Sequence, residues 1–440
     1  MTSSLKTAKR VALALIIGNL CALNAHADEA ALQAKIDKLS AELDALKSEV
    51  KKLHSQTEAI ATQQETTTSA AASGTSATTS NAISSDSKAL GASLWGYGEI
   101  KYNRPKDNTS QTQIDLARAV FGIGYRFDEK TRLVSEFEVE HAVASADDSG
   151  EMEVEQFYID HQLTDSTHLK AGLFLIPAGL LNENHEPTNF YGVERNFVET
   201  AIIPSTWREG GVALFGTTES GLAWDVGVTT TVNLGGWDAT SDEGRESPLG
   251  SIHQELQLAK ASDLAIYGAL NYRGIPGFVV GGSVFTSKVS QDNPDISVAK
   301  DARLTLWDVH TRWTPGNWDL SALYTKGTIS DTEALNLTFV GFPTPIPKEF
   351  YGWYTQAAYK VWQNDGYSLS PFVRYERFNT ASAYESVPLG LGVDPAKTEG
   401  VTTYGASFYL NPKVVFKLDY QRFAEETTRN RLNLGLGLAF

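Results

Sequence analysis

The sequence predicts an all-β fold, a 16-stranded antiparallel transmembrane β-barrel preceded by a short α-helical coiled coil. Three observations carry that expectation. Sixteen segments between residues 92 and 440 alternate apolar and polar side chains with a period of two, as half-buried strands do. Beyond the amino-terminal leader no stretch approaches the ~20 apolar residues that a membrane helix needs. The links between segments alternate short and long, as at the two rims of a barrel, and an even strand number suits a single bacterial chain. A chain that crosses lipid without helices must close its sheet, because hydrocarbon leaves no partner for an open edge.

The elements follow in chain order. Lys6, Lys9 and Arg10 precede an apolar run from Val11 to Leu20, and Ala25-His26-Ala27 supplies a small-x-small cleavage site, so residues 1–27 read as a secretory signal. Cys21, the sole cysteine, lies inside it, with Leu20 before it where a lipoprotein signal wants a small residue. The mature chain is then free of thiols, which excludes disulfides, thiolate metal sites and cysteine nucleophiles and fits an oxidising envelope. Loss of the three basic residues moves the net charge from −16 to −19. Such a charge argues against a nucleic-acid partner.

Leu32, Leu39, Leu46, Leu53 and Ile60 fall on the d positions of a heptad, with Ile36, Leu43 and Val50 at a. A helix over 28–60 spans about 50 Å and is too short to be stable alone, so it implies self-association. Three heptads leave dimer and trimer open, and a lone amphipathic helix is the other reading. Residues 61–90 are Ser, Thr and Ala with little apolar bulk, and form a flexible linker.

The strand segments are 92–103, 111–127, 131–144, 151–163, 166–175, 208–216, 221–232, 263–273, 276–287, 302–313, 317–327, 350–363, 367–378, 399–410, 413–424 and 430–440. Short turns are expected at 128–130, 164–165, 217–220, 274–275, 314–316, 364–366 and 411–412. The barrel domain is thus 91–440, at roughly 22 residues per strand. In the last strand Leu432, Leu434, Leu436, Leu438 and Phe440 oppose Arg431, Asn433, Gly435 and Gly437. Trp307, Val309 and Trp313 likewise oppose Asp308, His310 and Arg312. A soluble sandwich would alternate too, so periodicity alone leaves open which face is outermost. Aromatic residues at Trp95, Tyr97, Tyr125, Phe127, Trp313, Trp318, Tyr351, Trp353 and Trp362 favour interfacial girdles, and with them the barrel.

Alternation points Lys101, Arg118, Arg126, Arg132, Lys170, Arg273, Arg312, Lys360, Arg374, Lys417 and Arg431 inward. They face Glu99, Glu136, Glu138, Glu140, Asp160, Asp225, Asp308, Asp319, Glu376 and Asp419, a near balance that leaves the acidic excess in loops, linker and helix. Pairing the second and third strands about their turn sets Arg118 opposite Glu140 and Arg126 opposite Arg132. The first pair would neutralise itself; the second could attract an anion. Inward charges can equally hold the wall by transverse ion pairs.

The longest link, 176–207, carries Glu183, His185, Glu186, Glu194, Arg195 and Glu199, with Arg208 just beyond it. A link of this length without strand pattern is often functional, and it is the candidate constriction loop; a solvated surface loop is the alternative.

Three stretches give the chain a resemblance. They are Gly172-Leu173-Phe174-Leu175-Ile176-Pro177, Tyr191-Gly192-Val193-Glu194-Arg195 and the run from Pro204 through Trp207 and Arg208 to Gly211. They look like the corresponding region of the phosphate-selective porin family, and the coiled coil, linker and barrel resemble relatives that include dicarboxylate-uptake porins. The terminal Phe440 resembles the closing residue read by the barrel-assembly machinery of bacterial outer membranes. The resemblance implies an outer-membrane homotrimer of pores passing small hydrophilic solutes, with weak preference for anions such as phosphate or small carboxylates and with lumenal Arg and Lys as a binding ladder. With both termini on the short-turn side, the coiled coil would lie in the periplasm, within reach of periplasmic or peptidoglycan partners. The alternative is an envelope tether in which the barrel is mainly an anchor.

No enzyme is expected. Gly-x-Ser-x-Gly elbows, His-Glu-x-x-His helices and phosphate-binding glycine loops are missing from the sequence. His141, His161, His168, His185, His253 and His310 lack metal spacing, so neither catalytic residues, metal site nor cofactor is expected.

Overall fold

A computed structural model describes residues 90–145, 149–388 and 390–440. The signal, coiled-coil and linker readings lie outside the described residues.

Period-two alternation becomes seventeen hydrogen-bonded segments. They are β1 (Gly91–Pro105), β2 (Gln113–Arg126), β3 (Thr131–Glu140), β4 (Met152–Thr164), β5 (Thr167–Leu175), β6 (Arg208–Thr217), β7 (Leu222–Thr229), β8 (Ala265–Ile275) and β9 (Phe278–Lys288). The second half comprises β10 (Arg303–Trp313), β11 (Trp318–Ser330), β12 (Glu349–Tyr359), β13 (Trp362–Asn364), β14 (Tyr367–Ala383), β15 (Glu399–Asn411), β16 (Val414–Phe423) and β17 (Arg431–Ala439). β12 and β13 both pair with β14 and are parted only at Lys360 and Val361, so they are one spanning strand and the barrel has sixteen. Every neighbour is antiparallel, and β1 pairs with β17 to close the sheet.

The closed barrel turns its apolar side outward. Phe121, Phe157 and Val309 are 54%, 52% and 52% exposed, whereas the inward Glu136 and Asp308 are 0% and 3% exposed. A water-soluble sandwich would reverse those two faces, and a band of exposed Leu, Val, Phe and Trp this wide needs lipid against it. Tyr125, Phe127, Trp313, Trp318, Trp362 and Tyr367 ring the short-turn rim.

At the seam the Phe440 N–H donates to the Gly96 carbonyl at 2.8 Å, and the ring of Phe440 lies on Gly96. A Cβ at Gly96 would come within 2.5 Å of that ring and 2.6 Å of the Val120 carbonyl oxygen. Glycine is needed there for close approach rather than for its dihedral freedom.

Three expectations are corrected. Trp95 and Tyr97 share the odd parity of Glu99 and point inward: Trp95 Nε1 donates to Glu136 at 2.6 Å and Tyr97 is 2% exposed, so neither belongs to a girdle. The turn expected at 274–275 is Pro276-Gly277 instead, since Ile275 still pairs with Phe278. Pro fixes the first corner and Gly277 takes φ +73° at the second. β14 runs on to Ala383, past the expected end at 378, because Asn379 still pairs with Tyr351 and Ala383 with Glu349 on β12. In the first short turn Asp128 Oδ1 accepts the N–H groups of Lys130 and Thr131, each at 2.8 Å. The Lys130 N–H holds its carboxyl below the usual range.

Candidate pore constriction

Residues 176–207 leave β5 and turn back into the barrel. Apolar side chains drive the entry: Val198, Ile202 and Trp207 are buried, and Trp207 packs on Phe285 at 4.5 Å between ring centroids. Gly352 on β12 leaves the hollow that receives Val198 and Ile202, where a Cβ would lie 2.9 Å from a Val198 methyl. Phe197 stacks on Phe378 of β14 at 5.5 Å and meets Phe423 of β16 edge-on at 5.4 Å.

Polar tethers then fix the segment to walls on several sides. His185 touches the Tyr97 hydroxyl at 2.6 Å, and Arg118 donates to the His185 carbonyl at 2.7 Å. The Gly179 N–H reaches Asp308 of β10 at 3.2 Å, the Val193 N–H reaches Asp419 of β16 at 2.6 Å, and the Phe197 N–H reaches Glu376 of β14 at 2.6 Å. Lys417 donates to the Gly192 carbonyl at 2.8 Å and stands 3.6 Å over the Phe190 ring. Glu199 is the hub, accepting from the N–H groups of Leu180 and Leu181 at 2.6 and 2.8 Å, from Tyr354 at 2.9 Å and from Asn196 at 2.8 Å. Each carboxylate satisfies backbone donors that a buried loop would otherwise leave unpaired.

The inward bases mostly face acids. Arg118 sits opposite Glu140 and Arg126 opposite Arg132 in the β2–β3 register. Yet the Arg118 guanidinium pairs with Glu99 at 2.8 Å, not with Glu140, because Ala117 is an extra residue in β2 that shifts the pairing with β1. Arg132 is held by Asp160 at 2.7 Å, and Arg126 reaches only the Glu129 carbonyl of the turn, so the two do not form a shared anion seat. Lys170 pairs with Asp225 at 2.6 Å, Arg312 with Asp319 at 2.6 Å and Arg374 with Glu376 at 3.0 Å. Arg431 donates to Gln421 at 2.7 Å; Lys360 is half-buried between β12 and β13. Arg208 opens β6 and is tied to Glu153 and Glu255 rather than to the loop proper. Glu138 is buried beside Glu155, a residue that alternation alone would turn outward. A bulge in β4 between Val154 and Gln156 turns it in.

Two spaces flank the loop. One is lined by Arg273, Arg312 and Arg374, by Asn184, Asn189, Asn196 and Asn271, and by a single carboxylate, Glu183. The other lies against β1, β2 and β17, where Lys101, Arg118, Arg195 and Arg431 face Glu99, Glu140 and Glu194. Arg195 is aimed by Ser205 and Thr206, at 2.5 and 3.1 Å, and Glu194 by Lys101 at 2.9 Å. Glu186 accepts from Asn189 at 2.6 Å and stays within the loop. Sequence reasoning missed Glu155, Tyr354, Asn184, Asn196 and Asn271; the acids of β4 were visible, but not the bulge that turns one inward.

A closed sheet of sixteen strands, apolar outside, charged inside and crossed by an inward loop, defines a transmembrane pore of the porin class. The chain belongs to the family described as phosphate-selective porin O and P, whose model matches residues 91–434. It is a channel of the outer membrane rather than an enzyme. An uncharacterized protein of Aquifex aeolicus (strain VF5) is 32% identical over 343 residues, 76% of each chain. Among solved structures, Salmonella typhi OmpF in complex with daunomycin is similar at 15% identity and a TM-score of 0.52, over 80% of this chain and 98% of that one. The anion-selective porin from Comamonas acidovorans is similar at 9% identity and a TM-score of 0.47, over 80% and 100%.

Proposed function

We propose that this porin passes small hydrophilic anions by passive diffusion, with phosphate or small carboxylates as its solutes and residues 176–207 as its constriction. The observation that carries the anion preference is the lining of the first space, three arginines and a row of amide side chains against one carboxylate. Guanidinium groups and amide N–H donors at a narrowing stabilise an anion that has shed part of its water. Arg312 and Arg374 are held in place by Asp319 and Glu376, so part of their charge is spent on the wall, which fits a weak preference rather than a tight site.

Reversal potentials across planar bilayers in a potassium chloride gradient test this directly. Chloride should carry more current than potassium, and Arg273→Glu should move the permeability ratio toward the cation. A parent channel that prefers potassium overturns the anion reading.

The family and its pattern also support a homotrimer, a cleaved signal over 1–27 and a periplasmic coiled coil over 28–60 joined by the 61–90 linker. The heptad run supports the further reading that this arm contacts periplasmic or peptidoglycan partners, so that pore and tether reside in one chain.

A further inference from the structure

Three strands that run from the short-turn rim to the long-loop rim carry the same outward step. Tyr102 and Arg104 on β1, Tyr375 and Arg377 on β14, and Tyr420 and Arg422 on β16 are each two residues apart, with the intervening Asn103, Glu376 and Gln421 facing the lumen. Each arginine is exposed and lies one pleat nearer the long loops than its tyrosine. None of the three has an ion-pair partner among the described residues.

The tyrosines belong to an aromatic girdle on the outer surface. Tyr404 meets Tyr420 at 5.7 Å between centroids, and Trp353 meets Tyr375 at 5.6 Å. Such girdles mark the boundary between acyl chains and headgroups. Side chains one pleat above it therefore stand at headgroup depth. Arg377 is opposite Gly400 and Arg422 opposite Thr402, so both flank β15, which offers only small side chains between them. Two strand spacings and a two-residue offset along β15 separate the arginines by roughly 12 Å, within reach of one headgroup for side chains this long. Outward positions near the same rim on β4, β7 and β8, at Met152, Val228 and Ile266, are apolar. Arg377 and Arg422 are thus two cations without ion-pair partners across β15, whereas Lys288 and Arg303, exposed opposite each other on β9 and β10, include one that Asp301 already holds.

We propose that the outer surface of β14–β16 and β1 binds the phosphate of a lipid in the leaflet on the long-loop side, its acyl chains lying on the girdle below. Guanidinium forks match phosphate oxygens in two-point contacts, and a basic residue at a membrane surface favours an anionic headgroup.

The test uses the full chain, purified in detergent, incubated with a diacyl phosphatidate or with phosphatidylcholine of the same chains, and read by lipid retained in native mass spectrometry. The parent should retain the phosphatidate selectively. Arg377→Gln with Arg422→Gln should weaken retention by about 30-fold, given about a fivefold effect per basic residue, while single-channel conductance stays unchanged because both side chains face outward. Excess inorganic phosphate should fail to displace the lipid. Equal retention of the two lipids by the parent, equal retention of phosphatidate by the double variant, or displacement by inorganic phosphate alone overturns the proposal.

Discussion

Glu199 shows how a charged residue can serve the architecture of a pore. It is 3% exposed and gathers two backbone N–H groups, a tyrosine hydroxyl and an asparagine amide, so it fixes both ends of the inward loop to each other and to β12. Removing it strands several buried donors at about 1–3 kcal/mol each. Glu199→Ala should therefore loosen the loop without unfolding the barrel. Open-channel current noise should rise and added protease should cut within 176–207; a variant as quiet and as resistant as the parent would show that the apolar contacts of Val198 and Ile202 suffice. The same logic explains why inward residues were easy to name and their partners were not. Parity told that Arg118 faces the lumen, but its partner Glu99 depends on the extra residue Ala117, and the His185 contact joins chain positions far apart. One sequence holds parity; it does not hold which distant loop atom fills a given hollow.

At the scale of elements, legibility tracked the strength of the period. β10, β16 and β17 were readable almost to the residue because charged and aromatic side chains alternate without interruption, whereas the β4 bulge at Glu155 and the β8–β9 turn were displaced by backbone irregularity that alternation does not encode. The seam between β1 and β17 depends on one such backbone detail. Gly96 must lack a side chain for the Phe440 ring to lie flat on the first strand. Gly96→Val forces that ring away and crowds the Val120 carbonyl, so the closing strand loses its terminal contact. The folded, heat-modifiable band on cold gels should fall well below that of the parent, and Gly96→Ala should fall less. Equal folded yield for both would mean that closure is set by the ladder bonds alone.

The whole molecule separates its charges by task. A chain with net charge −16 keeps a lumen in which most bases meet acids, and it sets exposed arginines on the outer surface near the long loops. Charges further from the lumen than a screening length of about 8 Å in physiological salt cannot set the pore's preference, which leaves Glu183 and Glu194 of the inward loop as the loop acids that count. A chain lacking residues 28–90 should give the parent's single-channel conductance and the parent's reversal potential, because the wall and the inward loop are built wholly from residues after 90. Its retention by purified peptidoglycan should fall if the arm is the tether. A truncated chain that conducts but reverses at a different potential would place part of the selectivity in the arm, and one that does not conduct at all would make the arm part of the assembled pore.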